Sequence, residues 1–494
     1  MKRTQKPWMH IAAVAAACGL AGSVTADPKH VKDGDLDSVI RKELKEARNV
    51  SAEGIKISIK DGEVTLKGEA ANLLQKQRAE RVASRVKGVR LVHNEMKVKD
   101  SGMSDVQVRN DVIAALANDP ATDSWEIKPQ VDGGEVTLEG RVESYAERAL
   151  AEKVAMSVKG VRDVENKIDV DYVTYRPDSE IRQDILQRLH WNARVHDGQV
   201  DVKVNDGKVT LSGAVGSYYE HATAEGLAWV AGVKNVTSKQ LEVRSDSRHD
   251  MARDDNVSDK DVQAAVERTL KEDARVRHAD TTVKVNDGIV TLSGEVDNLK
   301  ARRAAAQRAA DTMGVRDVRN NIEVKTASKM SDDDVERKIT DALRRDAVID
   351  RTNVSVDVVD GKAHLRGKVD SYYARAQAED IAARTNGVTS IQNDLTVAYT
   401  ITPYTYYLDW DPVEYDYDYD YETVSTRPDR EILDEIESEL FWSPFVDSDD
   451  VTVTVKDGVA TLTGTVDSWS ERSSATENAI EGGAVQVFNK LDVN

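Results

Sequence analysis

The chain holds one cysteine in 494 residues, Cys18, and it lies within the first 26. The rest of the chain therefore depends on no disulfide and offers no thiolate to a metal. Positive charge is scarce as well: 68 Lys and Arg stand against 88 Asp and Glu, a formal net charge of −20. A generic nucleic-acid binder is disfavoured, because phosphate contacts need a basic face. No apolar run is long enough to cross a bilayer, and Ile11 to Leu20 falls short of the roughly 20 residues that a spanning helix requires. Phosphate-loop, nucleophile-elbow and zinc-ligand spacings are absent too. His190 and His196 form a close pair without a Cys or a third His beside them, which favours a surface pair over a metal site. The chain is read as non-enzymatic, with no catalytic residue, cofactor or metal.

What is present begins with an export signal. Lys2, Arg3 and Lys6 precede the apolar run, and Val24-Thr25-Ala26 offers small residues for cleavage after Ala26. Residues 1–26 are thus expected to be a signal peptide, leaving a periplasmic protein with no transmembrane span. Ala15-Ala16-Ala17-Cys18 is a weaker lipidation site, which gives a lipoprotein as the minor alternative.

The sequence D-G-x-V-T-L-x-G recurs, each time followed about twenty residues on by G-V-x-x-V-x-N. Its turn residues are Asp61-Gly62, Asp206-Gly207, Asp287-Gly288, Asp360-Gly361 and Asp457-Gly458, with Gly133-Gly134 as a variant. A repeat of this kind fixes the architecture of the whole chain. In the first copy Leu36, Val39, Ile40 and Leu44 have helical spacing, whereas Ile55, Ile57 and Ile59 alternate as in a half-buried strand. Asp-Gly then supplies a two-residue hairpin turn, which accounts for these aspartates without catalysis. Asn72 and Gln75 form a capping box for a second helix, and Val92, Met96 and Val98 lie on one face of a closing strand.

The expected fold is therefore α+β, a tandem array of six small αββαβ domains. Each is a three-stranded mixed sheet packed under two helices, with its last strand parallel to the second. The units are placed at 35–100, 104–171, 177–243, 257–325, 330–398 and 427–494. A polar linker (244–256) and a Tyr/Asp-rich acidic linker (399–426) separate the third from the fourth and the fifth from the sixth. Repeats three and six share Arg-Pro-Asp openings and a tryptophan after the first helix, Trp191 and Trp442, as though a triplet had been duplicated.

The element order and the two recurring motifs resemble the BON domain, over nearly all of residues 35–494. The resemblance implies a non-enzymatic envelope protein linked to osmotic stress, touching phospholipid or envelope proteins, and it brings no catalytic residues. Two features are candidates for binding. The second helix of repeat one carries Lys76, Arg78, Arg81, Arg85 and Lys87, and that of repeat four Lys300, Arg302, Arg303 and Arg308. Exposed, such faces would attract anionic headgroups. Tyr219, Tyr373 and Trp469 open second helices and are candidates for exposed aromatics. The expected role is peripheral binding to phospholipid surfaces. The alternatives are a multivalent, chaperone-like array for client proteins and an acidic spacer without a dedicated ligand.

Overall fold

The computed structural model describes residues 31–47, 54–119, 121–122, 126–170, 176–244, 257–276, 279–325, 330–349, 353–370, 372–397, 427–484 and 486–493. The signal segment with Cys18 and Ala26, the linker 399–426 and all of 244–256 but Arg244 lie outside the described residues.

Repeat one runs α1 (Asp33–Glu46), β1 (Lys56–Lys60), β2 (Glu63–Lys67), β3 (Glu69–Ala70), α2 (Leu73–Ser84), β4 (Leu91–Asn94) and β5 (Lys97–Val98). Repeat two has α3 (Asp105–Asn118), β6 (Lys128–Asp132), β7 (Glu135–Val142), α4 (Tyr145–Met156) and β8 (Asp163–Val170). Repeat three follows with α5 (Asp178–Trp191), β9 (Val200–Asn205), β10 (Lys208–Val215), α6 (Tyr218–Leu227) and β11 (Asn235–Val243). Repeat four comprises α7 (Asp259–Glu272), β12 (Asp280–Asn286), β13 (Ile289–Val296), α8 (Leu299–Ala310) and β14 (Asp317–Val324). In repeat five these are α9 (Asp332–Arg345), β15 (Val354–Val359), β16 (Lys362–Val369), α10 (Tyr372–Ala383) and β17 (Ser390–Val397). Repeat six closes with α11 (Asp429–Trp442), β18 (Val451–Lys456), β19 (Val459–Val466), α12 (Trp469–Glu481) and β20 (Gln486–Val493).

Each three-stranded sheet places its second strand centrally, antiparallel to the first and parallel to the last, and in repeat one β3 and β5 form a separate parallel pair. The inward residues of the strands and the apolar stripes of the two helices form one core per repeat, and Leu36, Ile40, Leu44, Val64 and Leu66 lie at the centre of the first. The hairpin turns adopt positive φ at both positions, as at Asp61 (52°) and Gly62 (75°), which is the type I′ geometry that matches strand twist.

A second device holds every hairpin. The first residue of each opening helix is an aspartate, and its two carboxylate oxygens accept the two turn N–H groups. Asp33 takes Asp61 and Gly62, both at 2.9 Å. Asp105, Asp178, Asp259, Asp332 and Asp429 do the same within 2.7–3.1 Å. The carboxylate also sits at a helix N-terminus, where the backbone dipoles favour negative charge. The Asn that closes G-V-x-x-V-x-N ties the last strand to the second helix. Asn94 donates to the Lys76 carbonyl at 2.7 Å and Asn489 to that of Arg472 at 2.7 Å. The capping boxes differ in one detail from expectation. Glu147, Glu220 and Glu471 reach past the cap to the N–H one residue earlier, at 3.2, 2.8 and 2.9 Å.

Candidate functional site

The six units pack on one another through the C-terminal ends of their helices. Repeat two meets repeat five in a two-bond bridge, Lys159 N–H to the Arg345 carbonyl at 2.8 Å and Ala347 N–H to that of Ser157 at 3.0 Å. Repeats three and four make the same bridge, from Met313 to Trp191 and from Ala193 to Asp311, both at 2.9 Å. Repeats one and six keep only the first bond, Lys87 to Trp442 at 3.0 Å. The position that would donate the second is Pro444, which has no N–H. The tryptophans shared by repeats three and six now have a role: Trp191 packs against the core of repeat four and Trp442 against that of repeat one.

These seams take up the candidate basic helices. Lys76, Arg78, Arg81, Arg85 and Lys87 are all only half-buried or less open, none fully exposed. The Arg78 guanidinium lies 5.0 Å over the Tyr373 ring, Arg85 lies 5.7 Å over Phe445, and the Lys87 ammonium 5.5 Å over Phe441. Burial pulls the Arg81 guanidinium down to about 10, helped by Arg85 and Arg78 and opposed by Tyr373 and Tyr219. In repeat four Lys300 is 6 % exposed and pairs with buried Asp380 of repeat five. Arg303 meets Glu379 of that repeat at 2.6 Å. Arg308 holds Asp273 at 2.8 Å within its own repeat, and Arg302 donates to the Asn320 carbonyl at 3.4 Å. The expectation of two solvent-facing basic helices is thus corrected: Arg78, Arg81, Arg85, Lys87, Lys300 and Arg303 face neighbouring repeats, and Arg302 and Arg308 are held within repeat four.

The aromatic candidates are corrected likewise. Tyr373 is 2 % and Trp469 7 % exposed. Burial pushes the Tyr373 phenol up to about 12. Tyr219, half-buried, meets the Phe445 ring edge-on at 4.8 Å, which joins repeats three and six. Tyr145 of repeat two stacks on Trp229 of repeat three with centroids 4.1 Å apart. Among the described residues no group of three or more His, Cys, Asp and Glu is placed to hold a metal. His196 instead lies 3.3 Å from Glu220.

Sequence reasoning missed that matching helix positions carry opposite charges. Counted from the caps Asn72 and Ser468, the ninth and thirteenth residues are Arg81 in α2 and Arg85 at its C-cap, and Glu477 and Glu481 in α12. Both pairs line a cavity of about 100 Å³ between repeats one and six, together with Arg78 and Glu439.

The basic character expected of repeat one is found on its sheet. Lys56, Lys60 and Lys67 project from the outer face, with Lys97 and Lys99 beyond them, all exposed. Lys56 and Lys67 stand directly opposite each other across the strands. Lys67 pairs with Glu95 at 3.0 Å and Lys99 with Glu69 at 3.9 Å; Glu63 is the remaining acid of this face.

Comparison with known proteins places these features. The BON domain matches at residues 32–100, 104–172, 177–245, 258–326, 331–399 and 428–494. Osmotically-inducible protein Y of Escherichia coli (strain K12) is 29 % identical over 180 residues, which is 35 % of this chain and 89 % of that protein. Two structures of CdsD, described as a structural protein of the type III secretion system of Chlamydia trachomatis, also match at 16 % identity. The first covers 42 % of this chain and 91 % of its own, with a TM-score of 0.12. The second, of the C-terminal domain, covers 43 % and 98 %, with a TM-score of 0.13.

Proposed function

The chain belongs to the BON-domain family, and on that premise we propose that it is a non-catalytic, stress-related protein of the bacterial envelope that touches phospholipid surfaces from the periplasm. The relative named for osmotic induction supports the stress reading. The signal-like residues 1–26 support the compartment. The membrane reading is carried by the outer sheet face of repeat one, where Lys56, Lys60, Lys67, Lys97 and Lys99 outnumber Glu63, Glu69 and Glu95. A face of lysines on short, paired strands suits a layer of anionic headgroups, each cation near the surface contributing roughly 1 kcal/mol. This face replaces the second helices as the site of contact. A repeated client site is less well supported, because the second-helix surfaces that recur from unit to unit are turned toward one another.

Co-sedimentation with anionic and zwitterionic vesicles, at low and physiological salt, tests the reading. Binding to anionic vesicles alone, weakening with salt, is expected. The triple variant Lys56→Glu/Lys60→Glu/Lys97→Glu is expected to bind at least about a hundredfold more weakly. Unchanged binding by that variant removes the sheet face from the proposal. No binding of the parent protein under any condition overturns the membrane reading and leaves a protein client as the partner to seek.

A further inference from the structure

The cavity between repeats one and six holds more carboxylates than cations. Around it α1 presents Lys42 and Glu43, α2 and its C-cap present Arg78, Arg81 and Arg85, α11 presents Glu435 and Glu439, and α12 presents Glu477 and Glu481. That is four cations against five carboxylates. Repeat three adds Arg194, which faces Glu477 but is held by Asp311 at 3.0 Å, so this pair brings no net charge. Tyr219 and Tyr373 close the remaining side beside Arg81. Lys42 pairs with both Glu435 and Glu439, the latter at 2.9 Å. Glu481 is the carboxylate left over: it makes no ion pair, and one of its oxygens accepts a 3.4 Å hydrogen bond from the Asn478 amide.

We infer that the seam between repeats one and six is proton-gated: it is charge-balanced and closed when Glu481 carries a proton, and loosens when Glu481 ionises. Burying an unpaired charge is costly unless the group neutralises instead. Burial pushes this carboxyl up to about 8, reinforced by Glu439 and Glu477 and only partly offset by Arg85 and Arg78. Once the seam opens, water restores its ordinary value of 4.5. Between those two values the open seam has lost a proton that the closed seam keeps, so opening becomes more favourable as pH rises. The seam is also built to open first, since Pro444 leaves it one backbone bond where the other two have a pair.

Hydrogen exchange at the Lys87 amide in the full chain, corrected for the intrinsic pH dependence of exchange, reads the opening directly. The opening equilibrium is expected to rise by up to tenfold per pH unit between about pH 5 and 8 and then level off. Glu481→Gln is expected to flatten that slope while leaving exchange at Met313, in the seam between repeats three and four, unchanged. An equal slope in parent and variant, or none in the parent, overturns the inference. Should the variant fold poorly, the carboxyl carbon resonance of Glu481 in the parent chain decides: titration near pH 8 supports the gate, and titration near pH 4 to 5 rejects it.

Discussion

At the scale of single residues, the motif that identifies each repeat is a set of answers to backbone constraints. Its last glycine shows this best. Gly68 has φ of 137°, and a Cβ there would strike the carbonyl oxygen of Gly54, where the chain enters the first strand. The equivalent carbonyl of each other repeat, from Glu126, Gln199, Asp280, Asn353 and Asp450, stands against Gly140, Gly213, Gly294, Gly367 and Gly464 in turn. Gly68→Ala is therefore expected to lower unfolding free energy by about 1–3 kcal/mol, from strain and forced separation of the strands. Urea unfolding of parent and variant measures it, and a loss below half a kcal/mol would show that the strand end yields freely. The Asp-Gly turn and the Asn72 cap were legible because local chemistry demands them within a few residues. The aspartate clamp was not, since Asp33 and the turn at Asp61 are separated by 28 residues and only the fold brings them together. Even so, the spacing from a helix-opening Asp to its hairpin recurs in all six copies, and that regularity is a usable signal.

At the scale of elements, alternation on the strands and helical spacing in α1 were enough to derive the αββαβ unit, because one repeat buries one face of each element in its own core. The same logic misread the opposite face. A charged stripe on an amphipathic helix is assigned to water when the helix is considered within one unit, but α2 and α8 turn theirs to other repeats. Lys300 and Asp380 make the case concrete. Burial alone would raise the Asp380 carboxyl, yet Lys300 and Arg384 hold it below its ordinary value. Lys300→Met would remove the cation that hydrogen-bonds that carboxylate, leaving it to Arg384 and Arg303, and is expected to cost about 3 kcal/mol, whereas Lys300→Met/Asp380→Leu should recover most of the loss. Thermal and urea unfolding of the two variants separates the outcomes. A single variant as stable as the parent would mean that water reaches Asp380 and that the seam between repeats four and five is open.

At the scale of the whole molecule, the bridging pairs are one with six, two with five and three with four, so each joins the first triplet to the second. The pattern follows from the duplication that the sequence suggests. If repeats four to six copy one to three, the pairing of one with six is equivalent to that of four with three, and two with five maps onto itself. The contacts obey this relation in detail, because the second-helix ends of repeats one and four dock on the first-helix ends of six and three. Where Arg194 meets Asp311 in one seam, the matching positions in the other are Phe445 and Arg85, so an ion pair is exchanged for a cation–π contact. Opposite charges at equivalent sites, such as Arg81 and Arg85 facing Glu477 and Glu481, then make the two triplets complementary rather than interchangeable. Two fragments, residues 27–250 and 251–494, are accordingly expected to associate one to one on mixing and to form no equally stable complexes with themselves. Analytical ultracentrifugation of each fragment and of the mixture tests this. Independent monomers at micromolar concentration would show that the seams need the covalent link between the triplets. Self-association as strong as cross-association would show that helix ends and buried tryptophans, common to both triplets, drive the packing and that the charges do not select the partner.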